Sequence, residues 1–251
     1  MAKKKRIGIL TGGGDVPGLN GVIKGVTYNA DDFGYEVIGI RRGWEGLTHL
    51  KPGAGLEDER YIVPLDMDNT RTIDRTGGTW LHSSRTNPRK MKQAALPPTL
   101  DAKRAESMKV AEDRYDITPL VMENIESLGL DYLVPIGGDD TLSYSRSLHD
   151  AGMDIIAVPK TMDNDVQGTE YCIGFSTAIT RAKDAINRQR TTIGSHERIG
   201  VFRIFGRDAG FTALYTAFAT ASRCVIPEYR YDMKHLAELL AEDHAANRSH
   251  Y

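Results

Sequence analysis

The chain has 251 residues, 40% of them hydrophobic and 26% charged, with a formal charge of −2. That length buries a sizeable core in one large domain or two small ones, and so balanced a charge supplies no global field to recruit nucleic acid or a membrane. The basic opening Met1 to Ile7 lacks the apolar run of a secretory signal, no stretch has the length of a transmembrane helix, and the two cysteines, Cys172 and Cys224, stand far apart among apolar neighbours. Buried thiols in a reducing, cytoplasmic compartment are expected.

Ile7 to Thr11 reads as a strand, followed by the glycine turn Gly12-Gly13-Gly14-Asp15 and by Pro17, which suits the first turn of a helix reaching about Ala30. Strand, glycine turn and helix start form an arrangement that accepts an anion. Glycines let the backbone approach it, and the first N–H groups of a helix point at it. Taken alone, such a turn is as often a plain connection. Gly34 ends the helix and Glu36 to Ile40 is the next strand. From Thr48 to Thr72 the chain is loop-like except for Tyr61 to Leu65, and His82 to Pro88 is a small-residue turn carrying Arg85, a side chain suited to phosphate oxygens. Pro88 to Asp116 is charged and irregular and is expected to be an exposed excursion.

Leu120, Val121, Ile125 and Leu128 define one apolar face of a helix closed by Gly129. Tyr132 to Ile136 is a strand, and Gly137-Gly138-Asp139-Asp140 is a second glycine turn opening a second helix. Asp154 to Val158, short and rich in β-branched residues, reads as a buried parallel strand stopped by Pro159. Helices are expected over Phe175 to Arg190, up to about Ala221, and over Met233 to Ala246, with a strand at Ile199 to Phe205. Alternating strands and helices predict an α/β fold in three layers with mainly parallel sheets.

The stretch Lys160-Thr161-Met162-Asp163-Asn164-Asp165 follows a strand end with a lysine, a hydroxyl and two carboxylates. Ligands of open α/β sheets bind beyond the carboxyl ends of the strands, so this is a candidate reaction site, although Asp, Asn and Thr also form turns and caps. With Gly206-Arg207-Asp208-Ala209-Gly210, three strand ends carry phosphate-binding features, and phosphoryl transfer is the natural reaction class. Asp163 can accept a hydroxyl proton while Asp139 and Asp165 help to hold Mg²⁺. No histidine or cysteine spacing suits zinc, and neither a Gly-x-Ser-x-Gly elbow nor a Walker pattern occurs.

Four pieces of the chain, Thr11 to Asn20, Gly137 to Asp140, Pro159 to Asp165 and Phe205 to Arg207, together resemble the bacterial-type 6-phosphofructokinases, in order and approximate spacing over nearly the whole chain. The resemblance implies two Rossmann-like domains, a donor-binding one over 1–174 and an incomplete sugar-phosphate-binding one over 175–251. It makes Asp163 the base for the sugar 1-hydroxyl, Thr161 a contact to the transferring group, and Asp139 the magnesium-associated aspartate. Gly13 and Arg85 fall on the donor side, while Phe205, Gly206 and Arg207 line the sugar phosphate, with Phe205 where the family usually has methionine. Arg198 matches an arginine that reaches the sugar phosphate of a second subunit, which implies a homodimer or homotetramer.

The resemblance also bears on the donor. ATP-using members have glycines where this chain has Asp140 and Lys160, and pyrophosphate-using members resemble it at both. A carboxylate at Asp140 would overlap and repel an ATP α-phosphate, and Lys160 would supply charge to the smaller donor. The expectation is therefore Mg²⁺-dependent phosphoryl transfer from pyrophosphate to fructose 6-phosphate, reversible and part of glycolysis. An ATP-dependent enzyme and a non-catalytic remnant are the alternatives. The family's chain is expected to continue past Asn247 to Tyr251, so the sequence reads as truncated at that end.

Overall fold

The computed structural model describes residues 4–51 and 53–246. Asn247 to Tyr251, where the family's chain is expected to continue, and the first three residues of the basic opening lie outside them. The chain divides into two compact units, Met1–Lys160 and Thr161–Tyr251. Sequence places the domain boundary at 174/175 instead.

In the first unit, apolar strands separated by helices form a mainly parallel sheet. The elements in chain order are β1 (Arg6–Thr11), α1 (Leu19–Asp32), β2 (Glu36–Ile40), α2 (Trp44–His49), β3 (Ile62–Leu65), α3 (Met67–Thr70), α4 (Ala102–Ser107), β4 (Lys109–Ala111), β5 (Arg114–Tyr115), α5 (Thr118–Leu128), β6 (Tyr132–Gly137), α6 (Asp139–Asp150), β7 (Asp154–Ile155) and β8 (Val158–Pro159). The sheet order is β3-β2-β1-β6-β7, with β8 also on β6. All neighbours are parallel except β3, which runs antiparallel to β2. Connections leave β1 toward β2 on one side while β6 lies on the other, so the strand order reverses between β1 and β6. In such sheets that reversal opens a crevice at the carboxyl ends.

Alternation along β1 shows that both faces are covered. Leu10 joins a core with Ile38 and Ile40, with Trp44 and Leu47 of α2, Val121, Ile125 and Leu128 of α5, and Tyr144 and Leu148 of α6. Ile9, on the opposite pleat, is also fully buried. Trp44 meets Tyr144 edge-on with ring centroids 4.8 Å apart, which locks α2 to α6 across the sheet ends.

Three local expectations change. The first helix starts at Leu19, not Pro17, because Gly18 has φ 100° and cannot be helical. The strand expected at Asp154 to Val158 is split into two short pairings at the sheet edge, and Ile156 is 69% exposed. An edge strand keeps one flank open, so β-branched composition reported the strand but not its depth. The excursion Pro88 to Asp116 holds a small core of its own, in which Met91, Met108 and Tyr115 pack with Ile117 and Leu120.

The second unit holds α7 (Phe175–Ser195), α8 (Phe211–Thr220) and α9 (Met233–Ala245). The Phe175 ring meets Tyr215 at 5.5 Å, T-shaped, and Arg190 of α7 donates to the carbonyl of Thr220. Helix α8 is turned inside out: Thr212, Thr216 and Thr220 are buried while Phe218 is 88% exposed. Threonine tolerates this because its hydroxyl can bond a carbonyl one turn back, as Thr220 does to Thr216. Among the described residues this unit contains no strand, so the one expected at Ile199 to Phe205 has not formed. A strand exists only against a neighbour, and none is present there. Cys172 is buried as expected, whereas Cys224 is exposed.

Candidate active site

Both glycine turns of the first unit lie at the reversal of strand order, one after β1 and one after β6. They are packed through one side chain. A methyl group on Gly12 would come within 2.5 Å of Thr141 Oγ1, and one on Gly137 within 2.3 Å of Thr141 Cβ, so the buried Thr141 occupies the space that two absent side chains leave. Gly12 N–H donates to the Ile136 carbonyl at 2.9 Å, which ties the first turn to β6. Gly13, at φ 80°, donates to the Ser84 carbonyl at 2.9 Å and accepts from the Ser83 hydroxyl at its own carbonyl. The loop that carries Arg85 is thereby held against the first turn. Arg85 itself is exposed.

Asn20 anchors the same loop from the other side. It is 3% exposed, donates to the Thr76 carbonyl at 3.1 Å and accepts from Trp80 N–H at 2.7 Å. Thr11 adds a hydroxyl bond of 2.7 Å to the His82 carbonyl. Neither residue is singled out by spacing, since a buried Asn or Thr acquires its partners only when a loop distant in sequence folds back.

Lys160 follows β8, and its N–H donates to the Gly137 carbonyl at 3.0 Å. Its side chain runs inward and the residue is only 6% exposed. The ammonium lies 3.7 Å from where a Cβ would stand on Gly13 and 3.9 Å from the same place on Gly138. One cation therefore sits between two bare backbone turns, an arrangement suited to phosphate oxygens. Asp139 and Asp140 occupy the first turn of α6, exposed, at the end where backbone N–H groups favour negative charge.

In the second unit, Asp163 is 2% exposed and its N–H donates to the Thr161 hydroxyl at 3.1 Å. Arg207 Nε lies 3.5 Å from Asp163 Oδ2. Asn164, at φ 55°, shapes the turn: its side chain donates to the Glu170 carbonyl and accepts from Cys172 N–H at 2.8 Å. Thr212 at the start of α8 donates to the Met162 carbonyl, which fixes the other end of the turn. Gly206 is required where it is, because a Cβ there would stand 2.3 Å from the Ala209 carbonyl oxygen. Glu228 accepts from Gly210 N–H at 2.7 Å and so caps α8. Phe205 is 59% exposed, and Arg198 and Asp165 are exposed as well.

The first unit thus gathers Gly13, Asp139, Asp140 and Lys160 about the two turns, with Arg85 on the adjoining loop. The second gathers Thr161 and Asp163 with Arg207 and Gly206, and leaves Arg198 apart on the segment after α7.

Residues 6–251 match the family model described as Phosphofructokinase. The chain is 40% identical over 248 residues to a pyrophosphate--fructose 6-phosphate 1-phosphotransferase of Dictyoglomus thermophilum, covering 98% of this chain and 62% of that protein. It is 38% identical over 245 residues to an ATP-dependent 6-phosphofructokinase 3 of Streptomyces coelicolor, covering 97% of this chain and 62% of the other. The fold superposes on the pyrophosphate-dependent phosphofructokinase of Marinobacter aquaeolei with a TM-score of 0.66 at 19% identity, over 96% of this chain and 58% of that one. The T-state phosphofructokinase of Pichia pastoris gives 0.77 at 20% identity, over 98% and 24%. The chain therefore spans about 62% of the length of the curated relatives it matches and belongs to the phosphofructokinase family.

Proposed function

We propose that the chain transfers a phosphoryl group from pyrophosphate to the 1-hydroxyl of fructose 6-phosphate, giving fructose 1,6-bisphosphate and phosphate, in either direction. The observation that carries this reading is Lys160, buried between the Gly13 and Gly138 turns. A small donor with few contacts needs a cation at the transferring group, and the lysine offers one in a site that excludes most water. Asp140, in the first turn of α6 beside the same glycine turn, adds a carboxylate that would repel the α-phosphate of a nucleoside triphosphate.

In this reaction Asp163 takes the proton of the 1-hydroxyl, that oxygen bonds to the terminal phosphorus, and the bridging oxygen leaves with inorganic phosphate. Thr161 contacts the group in transit. Arg207, 73% exposed at its side chain, turns from Asp163 to the sugar phosphate, which frees the carboxylate to act as a base. Phe205 and Gly206 line that phosphate, and Arg198 reaches it from a second copy, so the active form is a homo-oligomer. Gly13 and Arg85 hold the donor.

Mg²⁺ uses one or two carboxylates together with water and phosphate oxygens, and the exposed Asp139, at the first turn of α6, is the side chain of the first unit that would hold it, with Asp165 the candidate of the second. Among the described residues no group of three or more His, Cys, Asp or Glu is clustered as an all-protein cage would require. When bound, the ion neutralises charge on the transferring phosphoryl group. No helix among the described residues is long and apolar enough to cross a membrane, and a cytoplasmic site of action accords with a substrate of sugar metabolism.

The ATP-dependent reading has its own support in the Streptomyces coelicolor relative at 38% identity. Assays for fructose 1,6-bisphosphate with Mg²⁺ and fructose 6-phosphate, offering pyrophosphate and ATP in parallel, separate the two. Product with pyrophosphate alone is expected. Product with ATP alone overturns the donor assignment, and silence with both supports a non-catalytic member.

A further inference from the structure

Strand β1 ends on the first glycine turn and lies between β2 and β6 in the sheet. Lys160 serves the β6 side of that turn, through the pairing of β8 with β6. The β2 side carries a second cation, Arg41, the first residue beyond β2. Its N–H donates to the Tyr61 carbonyl at 2.7 Å, and the two residues that follow are fastened to the turn and its loop. Arg42 N–H donates to the Leu81 carbonyl at 2.8 Å, and a Cβ on Gly43, at φ 60°, would stand 2.7 Å from the Thr11 carbonyl oxygen. The Arg41 guanidinium is set against the half-buried Trp80 ring, 5.9 Å from its centroid, on the loop that leads to Arg85. Among the described residues it enters no ion pair, unlike its neighbours Arg42, paired with Glu45 at 3.4 Å, and Arg60, paired with Asp58 at 3.9 Å. Its buried Nε has no hydrogen-bond acceptor among the described residues either, which is rare for a buried donor. Stacking on Trp80, the plainer role, leaves that N–H unsatisfied. The indole N–H of Trp44 also lacks an acceptor, but Trp44 is 1% exposed within the core and beyond a ligand's reach, whereas Arg41 is half-buried.

We propose that Arg41 binds the second phosphoryl group of the donor, so that a diphosphate on the first glycine turn meets a cation at each end, Lys160 from the β6 side and Arg41 from the β2 side. This rests on the reading that the turn holds pyrophosphate. Pyrophosphate has two anionic centres joined by one bridging oxygen, and a single lysine neutralises one of them. A guanidinium suits the other, because Nε–H and one Nη–H form a fork that meets two oxygens of one phosphoryl group. In the transfer, the 1-hydroxyl oxygen bonds to the phosphorus beside Lys160 as its proton passes to Asp163. The bond from that phosphorus to the bridging oxygen breaks, and its electron pair leaves with the phosphate on Arg41, whose growing charge the guanidinium stabilises.

The test is isothermal titration calorimetry of the 251-residue chain with Mg²⁺ and either pyrophosphate or inorganic phosphate, for the native protein, Arg41→Gln and Arg41→Lys, with urea midpoints as the check on folding. Arg41→Gln is expected to weaken pyrophosphate binding by ~10-fold or more, and Arg41→Lys, which keeps the charge but not the fork, by ~3-fold or more. Inorganic phosphate, held by Lys160 alone, is expected to change by less than ~2-fold in both. Unchanged pyrophosphate affinity in both variants overturns the proposal and leaves the donor reading intact. A lowered urea midpoint with that same unchanged affinity assigns Arg41 to stacking on Trp80. An equal loss for pyrophosphate and phosphate also overturns the proposal, since Arg41 then serves the same group as Lys160. A native chain that binds no pyrophosphate removes the donor reading and this inference with it. Should Arg41→Gln fail to fold, Arg41→Lys decides alone.

Discussion

Arg207 Nε stands 3.5 Å from Asp163 Oδ2, an exposed cation against a carboxylate that is 2% exposed. The pair lies within one unit and joins residues far apart in sequence. Its asymmetry suits a working role, because the acid stays in place and the arginine has room to move. If Asp163 is the base, Asp163→Asn should lower kcat by ~10²- to 10⁴-fold, the usual contribution of a positioned proton acceptor. Arg207→Ala should instead raise KM for the sugar phosphate, with Arg207→Lys recovering part of the loss. Equal effects of both changes on kcat, with KM unmoved, would contradict these separate roles.

The donor assignment rests on Asp140 and Lys160. The double change Asp140→Gly with Lys160→Gly should move preference from pyrophosphate toward ATP by at least ~10-fold in the ratio of kcat/KM values, equivalent to about 1.4 kcal/mol of differential binding. Steady-state assays with both donors read it directly. An unchanged ratio means these side chains do not choose the donor.

Thr141 and Gly12 should behave as a coupled pair. A methyl group on Gly12 would meet Thr141 Oγ1 at 2.5 Å. Gly12→Ala is therefore expected to cost ~1–3 kcal/mol by overpacking. In a Thr141→Ala background the same change should cost less than ~1 kcal/mol, because the clashing atoms are gone. Urea unfolding of the two single variants and the double variant measures the coupling, and strict additivity would show that the turn relaxes some other way.

His49 sets a pH dependence. Burial lowers its pKa below the ordinary value of 6.5, with Glu45 opposing and Arg60 and Arg42 adding to the shift. The unfolded chain therefore takes up the proton first as pH falls. Stability from this site is complete above the unfolded value and is lost as pH drops through it toward the folded value. Urea midpoints should fall between pH 7.5 and pH 5.5 by more in the native chain than in His49→Gln, and parallel curves would show no linkage at this site.

The sequence by itself determined the main strands and helices of the sheet and offered the candidate reactive groups. Apolar runs leading into glycine turns specified β1 and β6, and the run Glu36 to Ile40 specified β2; Leu120, Val121, Ile125 and Leu128 with Gly129 specified α5 and its left-handed cap at φ 64°. Asp163, Lys160 and Asp140 stood out as candidates because carboxylates and a lysine crowd two strand ends. Tertiary structure alone decided three other things. That Lys160 is buried beside Gly13 follows from the parallel pairing of β8 with β6, a contact between residues 147 positions apart in the chain. That Asn20 and Ser83 tie the loop carrying Arg85 to the first glycine turn depends on partners brought back from distant positions, which no local spacing encodes. And whether a strand-like run becomes a strand is settled by its neighbours: Ile7 to Thr11 found two, whereas Ile199 to Phe205, also rich in apolar residues, found none among the described residues. A helix closes its hydrogen bonds within itself, so its sequence reports it more readily, whereas every ladder bond of a strand has its partner in another segment of chain.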